Sequence, residues 1–369
     1  MTNGNDTMTR GGYRFVVIWA VGILLLYLIG ACLGVLQLWT YKAETMKVWT
    51  AWLEGAAKEP GSPVPEINAP TAGEPVRVLV GVYVNRIGEF ALREAAWTAE
   101  FDIWFRWAGV RVNPGETFQV ANGQLESREK QEAYVREEEN YERYRVRARI
   151  GKFFKLTRFP FADEPLSIQV EDGVHGVESL QFVPDTRDSG ISPTAILQQL
   201  TVSRFAMAAE PHKYGTSRGD PRSTTEDGDV YSRFVFALLL NPPGTIFYLK
   251  LFNALFASVA ISFIVFFIKP IHVDPRFGLG VGAFFAAVGN IIYIGSLLPR
   301  AEGFTLTDMV NAIGLATIFL TLVQSAISLY VFDTMGRERL SRLFDRVSFA
   351  AFLIGYAVIN LVLPLAAGS

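Results

Sequence analysis

Towards the C-terminus, apolar spans alternate with short charged punctuation. Residues 246–268, 277–298, 304–332 and 349–365 each suit a helix that crosses a bilayer at about 1.5 Å of rise per residue. Residues 269–276, 299–303 and 333–348 separate them. A fifth apolar run, 15–39, follows Arg10 and Arg14. It is too long for a signal-peptide core and long enough to span. Between the first span and the other four, the pattern changes period. Residues 58–75, rich in Pro and Gly, read as an extended linker. Val76–Val84 is β-branched, and 85–89 supplies a turn. Residues 98–107 alternate small or charged with aromatic or aliphatic positions, and 144–150 set Arg145, Arg147 and Arg149 against Val146, Ala148 and Ile150. Residues 166–170, 180–183, 196–205 and 231–240 complete a set of short strands, which predicts a sandwich.

The expected order is therefore a cytoplasmic N-terminus and membrane helix (1–40), a linker (41–75), an all-β immunoglobulin-like sandwich (76–243) and a four-helix transmembrane bundle (244–369). Basic residues favour the cytoplasmic side. Arg10 and Arg14 put the N-terminus inside and the sandwich outside. Lys269 and Arg276 then fall inside, as do Arg337, Arg339, Arg342 and Arg346, and the C-terminus ends outside. A bacterial inner membrane with a periplasmic sandwich fits this layout.

Composition changes this picture little. Half of the residues are hydrophobic and 19% charged, the net charge is −2 and the pI about 6.0, so nothing global points to nucleic acid. Cys32 is the single cysteine, which excludes an internal disulfide. Ile29-Gly30-Ala31-Cys32 reads either as a lipoprotein box or as a small-residue patch in a membrane helix, and the apolar residues after it favour the patch. His175, His212 and His272 are scattered, and no phosphate-binding glycine loop occurs; the chain reads as no enzyme, with no cofactor and no metal. The charged stretch 126–149, with Glu137-Glu138-Glu139, reads as a solvated hairpin. The polar stretch 213–229 reads as a long loop between strands.

Four passages resemble the pentameric ligand-gated ion channels of the Cys-loop type. Arg158-Phe159-Pro160-Phe161-Ala162-Asp163 is similar to the signature loop, with one alanine inserted before the aspartate and no flanking cysteines. Val82-Tyr83-Val84-Asn85 through Trp107 resembles the first hairpin. Pro275-Arg276-Phe277-Gly278-Leu279-Gly280-Val281 resembles the start of the pore helix. Leu298-Pro299 with Phe304-Thr305-Leu306-Thr307-Asp308 resembles the loop that follows it. The likeness covers Val76 onward and leaves out the N-terminal span. The chain departs from the family in lacking a proline within 251–268, in carrying Asn241 where an arginine is usual, and in lacking the tryptophan of the ligand cage, for which Phe182 is the nearest candidate.

The resemblance implies a homopentamer in membrane lipid, opened by a small-molecule or ionic agonist. If helix 277–298 lines the axis, helical steps from Gly278 bring Gly282, Phe285, Gly289, Ile292 and Ser296 onto one stripe. Phe285 would then form a narrow apolar ring able to block ions by dewetting. Asp274 would sit at the cytoplasmic mouth, where its carboxylates lean the pore towards cations, although it also suits a helix N-cap before Pro275 and the Pro-Arg pair resembles the anion-selective branch. Gly280 and Gly295 read as helix-packing glycines, and Asn290 as a hydrogen-bonding partner for a neighbouring helix. An agonist cleft between subunits would draw on Phe182, Tyr214, Tyr141 and Tyr144, with Arg145 and Arg147 as anion contacts; Trp104 and Trp107 read as sandwich core or as an inter-subunit seam. Arg158, Phe159, Pro160, Phe161, Asp163 and Pro299 would couple the sandwich to the pore. The competing reading is a non-conducting pentameric receptor or scaffold that docks a membrane partner.

Overall fold

The computed structural model describes residues 10–53, 74–195, 201–216, 230–241, 244–299 and 303–368. Most of the linker, the tip of the 213–229 loop, the start of the 196–205 strand and residues 300–302 lie outside these. The chain forms two compact units. One comprises residues 1–42, 155–162 and 243–369, and the other 43–154 and 163–242.

The order along the chain is helix, β-sandwich, helices. After α1 (Arg10–Leu53) come β1 (Val76–Ala91), β2 (Ala96–Ala108), the single turn α2 (Pro114–Thr117), β3 (Phe118–Val120), β4 (Gly123–Arg136), β5 (Glu139–Gly151), β6 (Glu164–Asp172), β7 (Leu180–Pro184), β8 (Gly190–Ile191), β9 (Thr201–Lys213) and β10 (Val230–Asn241). Four helices follow: α3 (Gly244–Ile264), α4 (Val273–Leu297), α5 (Leu306–Asp333) and α6 (Glu338–Gly368).

The sandwich corrects the expected fold class. It is mixed rather than an all-antiparallel immunoglobulin-like domain. One sheet has the order β4-β5-β2-β1-β7, with β8 also on β1, and the other β3-β6-β10-β9. Strands β7 and β8 run parallel to β1. Parallel neighbours need a crossover, and here the chain passes through β6 of the other sheet before it returns as β7. Side-chain alternation cannot report strand direction, so the sequence pattern could not show this. The turn expected at 85–89 is absent as well. β1 continues to Ala91 and absorbs the irregular stretch in register shifts between Val84 and Arg86 and between Ile87 and Phe90.

Inward residues fill the space between the sheets. Val78, Val80, Val82, Phe101, Ile103 and Phe105 face Leu166, Ile168, Val170, Phe234, Phe236 and Leu238, all fully buried. Each such side chain stabilises by about 1.5–3 kcal/mol relative to exposure. Gly81 is required here because the Trp104 ring lies where a Cβ would project. Strand β5 keeps the expected alternation, with Tyr144, Val146, Ala148 and Ile150 inward. Strand β4 is an edge, exposed along nearly its whole length, and its charges discourage pairing with another chain.

The helical unit requires a second correction. The four-helix bundle expected over 244–369 takes in a fifth helix, because α1 packs into it. Val16, Ile23, Tyr27, Ala31 and Leu38 form a buried stripe at helical spacing. Phe15 and Trp19 lie 5.4 and 5.5 Å from the Phe344 ring. Tyr27 Oη shares a 2.6 Å hydrogen bond with Thr317 Oγ1, and Gln37 Nε2 donates to the Phe304 carbonyl at 2.7 Å. Gly30 and Gly34 lie against Ile359 and Leu363, and Gly355 lies against the Tyr27 ring. This is the close approach that small residues permit between membrane helices. The patch around Cys32 is therefore a packing surface inside a continuous helix, with the thiol itself exposed.

Replacing Gly355 with Leu should push α1 off this seat and destabilise the purified protein by about 1–3 kcal/mol, the usual range for overpacking. Gly22 has open space around it, so Gly22→Leu should leave the unfolding midpoint in detergent unchanged or slightly raised. Equal midpoints for the two variants would refute the α1 packing.

Among the described residues, five helices are long and apolar enough to cross a membrane. α6 begins at Glu338, well before the expected apolar run. Its charged first turns are helical because Leu340, Ser341, Phe344, Asp345 and Ser348 turn inward while Arg339, Arg342 and Arg346 stay outside. α5 is capped by Thr305, whose hydroxyl accepts from the Asp308 amide while the Asp308 carboxylate accepts from the Thr305 amide.

Candidate functional site

The expected pore stripe occupies one face of α4. Gly278, Gly282, Phe285, Gly289, Ile292 and Ser296 are all exposed, with Phe285 at 69%. The opposite face is closed against the other helices by Arg276, Gly280, Ala283, Ala287, Asn290 and Ile294. Among the described residues nothing approaches Gly278, Gly282 or Gly289, whereas Gly280 abuts Leu322 on α5. Gly295, expected to pack, also has open space. Asn290 Nδ2 donates to Asn311 Oδ1 on α5 at 3.3 Å. The N-cap position of α4 belongs to His272, not to Asp274, which lies exposed in the first turn. An acidic residue there favours the helix start through the macrodipole.

Arg276 behaves differently from its expected place in a basic loop. Its side chain is fully buried and forks onto Asp345 of α6, Nη2 to Oδ1 at 2.8 Å and Nη1 to Oδ2 at 3.3 Å. Nη1 also donates to the Ile268 carbonyl at 3.2 Å, and Gln324 Nε2 of α5 donates to Asp345 Oδ1 at 2.7 Å. This charged clasp holds the first turn of α4 to α5, α6 and the end of the α3 segment. The available signal was an arginine one residue before an apolar span, with an aspartate embedded in the Arg337–Arg346 cluster. Their pairing is invisible without the fold.

The signature-like loop packs within the helical unit. Arg158 is buried and its Nη2 donates to the Ala367 carbonyl near the end of α6. The Phe159 ring meets Phe247 edge-on at 5.8 Å, and Phe161 lies 5.4 Å from Tyr248, both on the first turns of α3. Pro160, which follows a cis peptide bond, is buried. Asp163 and Pro299 are half-buried.

The candidate ligand residues do not converge. Phe182 is core, 4% exposed, with its ring 6.1 Å from Phe105. It is inward because β7 pairs with β1, and the sequence pattern left its face undecided. Tyr144 is buried too. Its hydroxyl donates to Glu142 Oε2 at 2.6 Å, and burial followed by that carboxylate raises its pKa. Beside it, Lys130 Nζ bonds Glu116 Oε1 at 2.7 Å; that contact holds Glu116 below the usual carboxylate range and raises Lys130. Tyr214 Oη donates to Glu171 Oε2 at 2.6 Å, and Glu171 is itself paired with buried Arg233 at 2.6 Å. Burial, then Glu171, raises the Tyr214 pKa.

The two arginines expected to meet an anionic ligand are already engaged. Arg145 forks onto Asp102 at 3.0 and 3.3 Å, and Arg147 pairs with Glu126 at 2.8 Å and Glu100 at 3.7 Å. Each lies directly across from its partner strand's carboxylate in the β2–β5 register, which sequence spacing does not reveal. Tyr141 has a different setting. Its ring lies 4.9 Å from that of Tyr134, tilted by 30°, and with Trp107, Asn140 and Glu142 it lines a cavity of about 360 Å³ in the sandwich. Trp104 and Trp107 are buried, and Trp104 Nε1 donates to Asp185 Oδ2 at 3.0 Å. Among the described residues, no group of three or more His, Cys, Asp or Glu side chains could hold a metal ion.

No family model matches the chain, and no curated protein matches it. The functional reading therefore rests on geometry and on the motif resemblance.

Proposed function

We propose that the chain is the subunit of a homopentameric ligand-gated ion channel in a bacterial inner membrane. Its N-terminus would be cytoplasmic, its sandwich periplasmic, and α4 would line the axis. One observation carries this reading. The outward face of α4 carries the glycine-rich stripe, in which Phe285 is the one ring, while the inward face is fixed to the other helices by Arg276 and Asn290. A face of glycines gives lipid little side-chain surface to pack against, but it exposes backbone to water and leaves room for a conduit. The seating of Phe159 and Phe161 on α3, and of Arg158 on the end of α6, supports a coupling role for that loop. Asp274, exposed in the first turn of α4, supports the lean to cations.

A second reading has its own support. The one hydroxyl of the stripe, Ser296, donates to the Tyr293 carbonyl at 2.6 Å, so the stripe offers permeant ions a poor set of side-chain ligands. That favours a non-conducting pentameric receptor. Particle images of the detergent-purified protein together with ion flux from liposomes separate the two. Five subunits and measurable flux are expected. Five subunits without flux under any condition would select the receptor, and a monomer would remove both.

A further inference from the structure

The helical unit contains a second concave site. A cavity of about 400 Å³ opens between the end of the α3 segment, the end of α5 and the start of α6. Its size lies within the range of small-molecule sites, about 300–1,000 Å³. One wall is aromatic. Phe267, 74% exposed, lies 5.1 Å from Phe349, and Phe266 lies 5.9 Å from the same ring. The other wall is basic, with Lys269, Arg342 and Arg346.

The carboxylates that also line the cavity are already neutralised. Asp345 is held by Arg276 and Gln324, and Glu338 is paired with Arg342. Among the described residues, the exposed side chains of Lys269 and Arg346 have no ion-pair partner. The surplus charge of the cavity is therefore positive, and it sits at the ends of membrane-length helices.

We infer that this cavity binds an anionic phospholipid, with the phosphate between Lys269 and Arg346 and an acyl chain along Phe267 and Phe349. Basic pockets between membrane helices suit anionic head groups. A soluble phosphate would satisfy the cations but leave the phenyl wall in water. A zwitterionic lipid would cover the phenyl wall but bring a cation of its own towards Lys269 and Arg346. An amphipathic anion answers both walls at once. The inference needs only a membrane-embedded protein and stands apart from whether the axis conducts.

The test is native mass spectrometry of the full-length protein in detergent. It is titrated separately with phosphatidylglycerol, with phosphatidylcholine of the same chains, and with inorganic phosphate. Phosphatidylglycerol should be retained in clear preference to phosphatidylcholine, and millimolar phosphate should not displace it. Lys269→Gln combined with Arg346→Gln should weaken retention about thirtyfold, which corresponds to about 1 kcal/mol per basic residue at an anionic surface. Should that variant unfold early in detergent, Lys269→Arg with Arg346→Lys must retain the lipid as the native protein does. Undiminished retention by the Gln variant, equal retention of the two lipids, displacement by phosphate, or failure of the charge-conserving pair would each overturn the assignment.

Discussion

Replacing Arg276 with Ala destabilises the helical unit by about 3–5 kcal/mol, the range found when one partner of a buried ion pair is removed. The reason is what remains. Asp345, 5% exposed, would keep only the Gln324 amide, and a carboxylate stripped of its counter-charge in a buried site carries a desolvation penalty of several kcal/mol. Asp345→Leu should be comparably damaging, because it strands a guanidinium that is fully buried. The two changes made together, Arg276→Met with Asp345→Leu, should restore most of the loss, since matched apolar replacements of buried pairs are often neutral or stabilising. Unfolding midpoints of the purified variants in detergent check all three. Additive losses in the double variant would show that the side chains act independently and that the clasp is not a unit.

Replacing Phe285 with Ala opens the proposed conduit. In the proposed pentamer the ring would be the bulkiest group on a stripe whose neighbours one turn away are Gly282 and Gly289. The next bulky apolar group on the stripe is Ile292, two turns further along. Removal of the Phe285 ring should raise basal ion flux from liposomes by at least about tenfold, the factor carried by about 1.4 kcal/mol of barrier. Phe285→Leu, which keeps bulk and apolarity, should leave basal flux near that of the native protein. The fold should tolerate both variants, because the side chain is 69% exposed within the subunit. Native-like flux from the Ala variant would place the barrier elsewhere or remove α4 from the axis.

Much of this architecture was legible in the residues. The apolar spans have the length that a bilayer demands, and the sandwich strands announce themselves by β-branched runs and alternation. The exposed face of α4 follows from counting helical steps from Gly278. Even the seat of α1 left a trace, in Gly30 and Gly34 four residues apart. All of these signals are local. Period and length depend on neighbours within a turn or a few residues, so they survive without the fold.

Tertiary structure decided the rest, because those features depend on which distant residues meet. Arg276 and Asp345 are separated by 69 positions, and Arg158 reaches a carbonyl 209 positions away. β7 lies parallel to β1 only because the chain visits the other sheet first, and that pairing turns Phe182 into core instead of a cleft contact. Arg145 and Arg147 look like anion contacts until the β2–β5 register sets Asp102 and Glu100 opposite them. Side-chain chemistry is written into the chain, but whether a charge is available or already matched is a property of the packed molecule.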